Sequence, residues 1–196
     1  DTFSINVGTA SQMSLICTEF DQKYFESIYE IRPFFNNTYI KTVSKLSGGR
    51  SLQVIADFFR QVLSLKDGND ISNRDIWLYI DKIDLIPEPT LRVKTGFFKS
   101  LLFNEGAIEN ITAENFTIEN IISAAYADMA QIFARMVKVL DPDSKIHKVI
   151  ISGKCGESIK KYMLQIQECK SFAYQTEECA KTVFNGLLKL LQGGKI

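Results

Sequence analysis

Residues 2–18 read Thr2-Phe3-Ser4-Ile5-Asn6-Val7-Gly8-Thr9-Ala10-Ser11-Gln12-Met13-Ser14-Leu15-Ile16-Cys17-Thr18. Apolar residues alternate over residues 2–7 and again over residues 13–18, which predicts two strands joined in a hairpin. Gly8 in the connecting turn tolerates φ > 0 and lets the backbone approach an anion closely. Successive N–H groups of such a turn can form an anion-binding nest. The turn is therefore either a small phosphate cradle or an ordinary β-turn, in which these residue types are also common.

The composition is that of a soluble globular domain with a sizeable core. The chain has 196 residues, 45% of them hydrophobic and 23% charged, and its net charge is zero. Because Lys and Arg are scattered, nothing favours a nucleic acid or an anionic membrane surface. No apolar run approaches the roughly 20 residues of a membrane span. We expect neither a nucleic-acid nor a membrane partner.

The cysteines bear on the compartment and on metals. The four of them show neither metal-ligand spacing nor a C-x-x-C pair: Cys17, Cys155, Cys169 and Cys179. Scattered cysteines fit a reducing compartment better than a disulfide framework. Three glycosylation sequons, at residues 36–38, 110–112 and 115–117, argue weakly the other way, and the first residues show no signal region. We expect a cytoplasmic protein without a metal site.

A second hairpin is predicted shortly after the first. Residues 28–35 and 38–43 are rich in β-forming residues and flank Asn36-Asn37, a pair that accepts φ > 0 in a turn. Pro33 should lie at a sheet edge or a bulge, because proline cannot donate to a strand ladder.

Helical periodicity dominates the middle of the chain. Apolar residues at i, i+3 and i+4 predict a helix over residues 50–65, and a second helix should begin after Ser72 and reach about residue 83. Residues 85–106, rich in proline and glycine, should be irregular with one or two short strands. The longest helix should begin at Thr117 and end at about Leu140, before Asp141-Pro142.

The last third alternates strand and helix. We predict strands over residues 147–151 and 170–174, and helices over residues 157–168 and 177–191. This order implies parallel neighbouring strands, whereas the first quarter implies antiparallel ones. The sequence therefore predicts an α/β fold with a mixed β-sheet and helices on both faces.

Glycine turns recur at three similar junctions, Gly8-Thr9, Gly48-Gly49 and Gly153 with Gly156. The latter two each precede a predicted helix, whose N-terminus is a favourable place for an anion. If the strands leading into them are neighbours, the turns converge on one sheet edge, where α/β folds bind ligands. Singly, each glycine is more simply structural; together they favour a nucleotide.

Polar groups able to catalyse a reaction are sparse. Gln53, one turn into the helix after Gly49, could reach into such a cleft. His147 stands alone at a strand start, and no Ser/His/Asp set or acid–base pair of carboxylates is recognisable. Trp77 lies at apolar helix spacing and is more simply a core residue than a stacking platform. The sequence offers a phosphate site and no catalytic residue.

In order and spacing, four segments resemble the C-terminal domain of the FGGY carbohydrate kinases, most closely the sedoheptulokinases. Residues 3–12 resemble the family's second phosphate motif, an apolar strand followed by N-x-G/S-T-S-x-Q. Residues 29–35 are similar to E-x-R-P-F with an aromatic, and residues 44–50 to S-L-x-G-G. Residues 111–120 are similar to I-T-x-E-N-F-T-x-x-N, the most specific of the matches.

The resemblance implies roles for individual residues. Gly8 and Thr9 would donate to the β- and γ-phosphates of ATP, accompanied by Mg²⁺. Gly49 would approach the α-phosphate with Gln53 beside it, and Gly153 would lie under the adenosine. The sequence departs from the family pattern in two places: Glu157 stands where an Asn amide is expected, and Phe184-Asn185-Gly186 replaces a G-A-A triplet. Both changes would weaken or reshape nucleotide binding.

The resemblance also implies a ribonuclease-H-like fold of the actin/hexokinase/Hsp70 superfamily for residues 1–196, as a single ATP-binding lobe. The N-terminal lobe of such a kinase, with the sugar pocket and the catalytic Asp, would be absent. We therefore expect phosphoryl transfer from ATP to a ketose hydroxyl in the full-length protein and little activity from this chain alone. A lobe of this kind should expose an apolar patch beside its phosphate turns or cover it in a homodimer. The alternatives are a diverged, non-catalytic interaction or regulatory domain, and an unrelated α/β domain with chance glycines.

Overall fold

The first hairpin forms as predicted. The computed structural model describes residues 2–20, 28–67 and 70–177. Strand β1 (Phe3–Val7) pairs antiparallel with β2 (Ser11–Cys17), and Val7 faces Ser11 across a three-residue turn. Phe3 and Ile5 are buried whereas Ser4 is exposed. The alternating apolar residues of the sequence thus lie on the side of β1 that faces the core.

The second hairpin is confirmed as well. Strand β3 (Glu30–Pro33) pairs antiparallel with β4 (Tyr39–Leu46). Asn36 and Asn37 in the connection have φ of 54° and 57°, the left-handed region that asparagine tolerates. Pro33 is the last residue of β3, and β3 is an edge strand of the sheet, as its missing N–H requires.

Two helices follow β4. Helix α1 spans Gly49–Asp67, and α2 spans Asn73–Ile80. The Ser72 side chain accepts a hydrogen bond from the Asp75 N–H, which is the predicted N-cap. Helix α2 ends three residues earlier than predicted, because the chain turns at residues 81–83 with i→i−3 hydrogen bonds such as Lys82 N–H to Tyr79 C=O.

A small second sheet and the longest helix occupy the middle of the chain. Strand β5 (Arg92–Lys94) lies in the segment predicted to be irregular and pairs antiparallel with β6 (Ala107–Glu109). Helix α3 spans Ile118–Leu140 and is capped by Thr117, in agreement with the prediction. Much of its length is buried, with Met129, Ala130 and Phe133 fully inaccessible.

The segment that carries the most specific family match builds the entrance to α3. Asn115 is buried, its Oδ1 accepts from the Thr112 N–H at 2.8 Å, and its Nδ2 donates to the Asn110 carbonyl at 2.9 Å. Asn110 has a φ of 58°. The role of this motif is to fold a tight loop and cap a helix.

The strand–helix–strand unit at the end of the chain forms with shifted boundaries. It consists of β7 (Lys148–Ser152), α4 (Gly156–Met163) and β8 (Ala173–Glu177). Helix α4 ends five residues before the predicted position 168, because successive i→i−3 turns follow it, including Ile166 N–H to Met163 C=O. Strand β8 begins at residue 173 rather than 170, where the Ala173 N–H donates to the His147 carbonyl. The predicted helix 177–191 begins on the last residue of β8, and its remainder lies outside the described residues.

These strands form a six-stranded mixed sheet in the order β3-β4-β2-β1-β7-β8. Strand β7 is parallel to β1 and β8, and the other pairs are antiparallel. Helix α3 contacts β2, β4 and β5, and α4 packs against α3, β7 and β8. The predicted α/β fold with a mixed sheet and packed helices is confirmed. None of the helices described here is both long enough and apolar enough to cross a membrane.

Candidate functional site

The three predicted glycine turns lie at one edge of the sheet. Strand β2 is antiparallel to both β1 and β4, and β7 is parallel to β1. Strands β1, β4 and β7 therefore run in the same direction, and each is followed by one of the turns. The predicted convergence is confirmed, although only β1 and β7 are direct neighbours, because β2 separates β1 from β4.

The first two turns are in direct contact. The Gly49 N–H donates to the Gly8 carbonyl at 2.8 Å, and the Arg50 N–H donates to the Thr9 carbonyl at 3.0 Å. A Cβ added to Gly48 would lie 2.8 Å from the Gly8 oxygen and 2.8 Å from the Ser11 nitrogen. The hairpin turn therefore caps α1, and Gly48 allows the close approach.

This capping changes where an anion can bind. We expected free N–H groups at the start of α1, yet those of Gly49 and Arg50 already have carbonyl acceptors. In a trans peptide the C=O and the following N–H point in opposite directions. Because the Gly8 and Thr9 carbonyls point at α1, the N–H groups of Thr9 and Ala10 point away from it. The open donors belong to the hairpin turn and not to the helix.

The turn residues themselves are accessible. Gly8, Thr9 and Ala10 are exposed, and their N–H groups donate to no backbone carbonyl within the residues that the structure describes. A run of outward N–H groups is the donor set of an anion nest. Gly8 does not use the positive φ that its residue type allows; among the described glycines that conformation occurs at Gly153.

Gly153 joins the third turn to the other strands. Its φ is 114°, and a Cβ here would lie 2.3 Å from the Val7 carbonyl oxygen. Its N–H donates to the Glu177 carbonyl at 3.1 Å. The turn thus touches the end of β1 and the end of β8 at once, which places it beside the hairpin turn.

Glu157 lies on the first turn of α4 and is exposed. Its Oε1 accepts a hydrogen bond from the Thr176 hydroxyl, and Lys160 Nζ lies 3.5 Å from Oε2. The Thr176 hydrogen bond lowers the pKa of the Glu157 carboxyl; burial opposes this shift, and the charge of Lys160 adds to it. The carboxylate therefore connects α4 to the end of β8. Its negative charge also interacts favourably with the positive N-terminal end of the helix dipole.

Gln53 makes hydrogen bonds to residues of α1 and α2. Its Oε1 accepts from the Trp77 indole N–H at 2.8 Å, and its Nε2 donates to Asp57 Oδ1 at 3.0 Å. Both ends of the amide are therefore occupied within α1 and α2. Trp77 packs partly buried against the core, as predicted, and its ring nitrogen is the partner of Gln53.

Arg50 is a candidate that the sequence reasoning missed. Its backbone lies against Thr9, and its guanidinium carbon lies 4.0 Å from the centroid of the Phe98 ring. This cation–π contact holds the guanidinium over Phe98, while the backbone of the same residue contacts the hairpin turn. The only signal in the sequence was a basic residue directly after Gly48-Gly49; Phe98 is 48 positions away and comes close only in the folded chain.

His147 lies away from this edge. His147 is exposed, packs edge-on against Phe172 and precedes β7, at the opposite end of that strand from Gly153. Among the residues that the structure describes, no group of three or more His, Cys, Asp or Glu side chains could hold a metal ion. The departure at residues 184–186 lies outside the described residues.

No family model matches the sequence, and no curated protein matches it either. The fold, in contrast, has clear counterparts among solved structures. The xylulose kinase of Rhodospirillum rubrum superposes with a TM-score of 0.66 at 12% identity, over 93% of this chain and 36% of its own. The ligand-bound xylulose kinase of Lactobacillus acidophilus gives 0.60 at 14% identity, over 100% and 39%. The gluconate kinase of Lactobacillus acidophilus superposes with a TM-score of 0.58 at 14% identity, over 89% of this chain and 35% of its own.

These likenesses establish the fold. The chain spans somewhat more than a third of the length of the solved kinases that it matches. The chain thus shares its fold with part of several sugar kinases.

Proposed function

We propose that this chain is the ATP-binding lobe of a carbohydrate kinase related to the sedoheptulokinases. The observation that carries the proposal is the meeting of three glycine turns at one sheet edge, with outward N–H groups on Thr9 and Ala10. The shared fold with kinases of xylulose and gluconate supports it, and so does the resemblance of residues 3–12 to a phosphate motif. The transfer itself would require the complete, two-lobed protein.

The residues at this sheet edge would each contact a different part of the nucleotide. Gly8 and Thr9 would donate to the β- and γ-phosphates, and Gly49, packed under the hairpin turn, would allow the α-phosphate to approach. Gly153 would lie under the adenosine, with Glu157 beside it as a residue that shapes this subsite. The Arg50 guanidinium would attract the triphosphate. Gln53 would support the site indirectly by holding α2 against α1.

The donor set fits a triphosphate. Nest N–H groups and a nearby guanidinium are both donors, and no carboxylate contacts the hairpin turn among the contacts described. ATP would supply the γ-phosphoryl group, with Mg²⁺ neutralising its charge. We assign no protein ligand to Mg²⁺ in the described part of the chain, since no acidic cluster is found there. Activation of the acceptor hydroxyl would fall to the other lobe.

Nucleotide binding can be tested on the 196-residue chain by ¹H–¹⁵N NMR with MgATP and, separately, with Mg-tripolyphosphate. We expect MgATP to shift the amides of Gly8, Thr9 and Ala10 together with that of Gly153, and tripolyphosphate to shift the hairpin turn alone. Arg50→Ala should weaken both ligands, whereas the matched variant Arg135→Ala, on the exposed side of α3, should not. Unchanged turn amides at millimolar MgATP would contradict the proposal.

The sugar substrate needs the full-length protein. We propose a ketose because the resemblance is closest to the sedoheptulokinases, and coupled assays with sedoheptulose, xylulose, ribulose and glycerol would rank the acceptors. A preference for glycerol over all three ketoses would overturn this assignment and leave nucleotide binding by the lobe untouched.

A second candidate is a diverged, non-catalytic interaction domain with the same fold. Two observations favour it: the acidic Glu157 next to Gly153, and an apolar row on α1 in which Val54, Phe58 and Val62 are 39%, 53% and 49% exposed. This row begins one turn from the hairpin turn, where the lobe interpretation also expects an apolar patch. The NMR titration separates the two, because only the kinase lobe requires the turn amides to respond to MgATP.

A further inference from the structure

A cleft of about 540 Å³ opens on another part of the molecule, between β5, α3 and α4. Tyr162, near the C-terminal end of α4, lines it, whereas Gly153 precedes the N-terminal end of the same helix. The cleft and the Gly153 turn thus lie at opposite ends of a helix of 8 residues, which is about 12 Å long at 1.5 Å of rise per residue. Its volume lies in the range of small-molecule sites. The cleft is therefore a separate cavity, and the proposed function does not use it.

The walls of this cleft are held by internal bonds. Lys94 Nζ pairs with Glu109 Oε1 at 2.5 Å across the β5–β6 hairpin. Asp128 Oδ2 accepts from the N–H of Thr95 at 2.8 Å and from its hydroxyl at 2.6 Å. The Tyr162 hydroxyl donates to the Ile86 carbonyl at 2.6 Å. These groups are engaged, so they shape the cavity and contribute little to binding a ligand.

Four other polar side chains line the cavity and are exposed: Glu88, Arg92, Gln131 and Gln165. Within the described chain, none of them has a hydrogen-bond or ion-pair partner. Arg92 and Glu88 carry opposite charges, and Lys94 and Glu109 form an ion pair, so the carboxylate of Asp128 leaves the lining with one net negative charge. The cleft therefore offers hydrogen bonds of both kinds and no net attraction for an anion.

The chemistry of these four groups selects a ligand class. A hydroxyl group both donates and accepts, so it can pair with a guanidinium, a carboxylate or an amide. Between the polar groups, Ala124, Ala127 and Pro87 give small apolar surface against which C–H groups can pack. We propose that this cleft binds a small, neutral polyhydroxylated molecule, a sugar or a polyol, at a site separate from the glycine turns.

The proposal is tested by ¹H–¹⁵N NMR titration of the 196-residue chain with D-fructose, xylitol and sucrose, and with glycine as a zwitterionic probe. We expect at least one of the three polyhydroxylated probes to shift the amides of Val93, Gln131 and Gln165 and to leave Gly8 and Gly49 in place. Arg92→Ala and Gln131→Ala should each weaken that probe roughly fivefold, the loss of one exposed hydrogen bond.

Matched controls keep the test specific. Arg135→Ala and Gln61→Ala change the same residue types at exposed positions outside the cleft and should bind the probe as the wild type does. Circular dichroism confirms that each variant is folded, and Arg92→Lys replaces Arg92→Ala if the latter is not. Three results would overturn the proposal: no cleft shift with any of the three probes, unchanged affinity in both cleft variants, or binding of glycine in their place. None of these results bears on MgATP, whose titration reports on the glycine turns.

Discussion

The backbone N–H of Gly49 donates to the carbonyl of Gly8 at 2.8 Å, so the turn of the first hairpin caps the first helix. This contact joins two residues that are 41 positions apart in the chain. It also decides which atoms remain open to a ligand, because a carbonyl turned toward α1 turns the following N–H outward. The candidate phosphate site is therefore the outer side of the hairpin turn.

Gly48→Ala should destabilise the protein by about 1–3 kcal/mol, since its Cβ would overlap the Gly8 oxygen and the Ser11 nitrogen. Gly8→Ala is the matched control. Its Cβ would meet its nearest neighbour at 3.5 Å, and its φ is not positive, so we expect a change within about 0.5 kcal/mol. Urea denaturation measures both. Equal stability of the two variants would show that the close contact at Gly48 does not exist.

Gly153→Ala should be more damaging, at more than about 3 kcal/mol, because strain at a φ of 114° adds to a clash at 2.3 Å with the Val7 carbonyl. Gly156→Ala, three residues later, has room for a methyl group at 3.4 Å from Ile151 and lies in a helix. It should leave stability unchanged or raise it by up to about 1 kcal/mol. Thermal unfolding of the two variants side by side tests the difference.

Gln53→Ala should lower the free energy of unfolding by about 1–2 kcal/mol, because the indole N–H of the partly buried Trp77 loses its acceptor. The exposed Gln61 on the same helix provides the control Gln61→Ala, for which we expect no measurable change. Trp77 fluorescence reports the unfolding directly. A variant that is as stable as the wild type would show that the Gln53–Trp77 hydrogen bond contributes little to stability.

The Glu157 carboxylate predicts a pH dependence. Its pKa in the folded protein lies below the usual 4.5, first because of the hydrogen bond from Thr176. Because this pKa is lower in the folded protein, the ionised carboxylate stabilises the fold above about pH 4.5. This contribution is lost as the pH falls through the pKa of the folded state. Glu157→Gln should therefore be less stable than the wild type at neutral pH, and the two denaturation curves should converge in acid. A gap that widens in acid would refute this account.

Asp128→Ala should cost about 2–4 kcal/mol, because it leaves two donors of the fully buried Thr95 without an acceptor. Asp128→Asn, which keeps one oxygen at the same place, should recover part of that loss. Chemical denaturation of the three proteins gives the order wild type, Asn, Ala. If Ala and Asn were equal, Thr95 would not depend on this carboxyl.

Local patterns in the chain sufficed to predict most elements. The hairpins follow from alternation and from turn residues such as Asn36-Asn37, and α3 follows from its cap at Thr117 and from Asp141 after its end. Such signals act between residues a few positions apart, so they can be read without knowing the fold. The end of α4 could not be read in this way, because residues 164–168 keep a helical composition while the chain turns to enter β8.

Which residues could lie at a ligand-binding edge follows from the chain's local patterns: the glycines after three strands that run in one direction. What each of them does depends on contacts between distant segments. In the folded chain, the first N–H groups of α1 donate to carbonyls of the hairpin turn, and the Gln53 amide accepts from Trp77. The Arg50 guanidinium lies over the Phe98 ring. The partners of these groups are 24 to 48 residues away in the chain, so which groups a ligand can reach depends on the fold and cannot be read from local sequence.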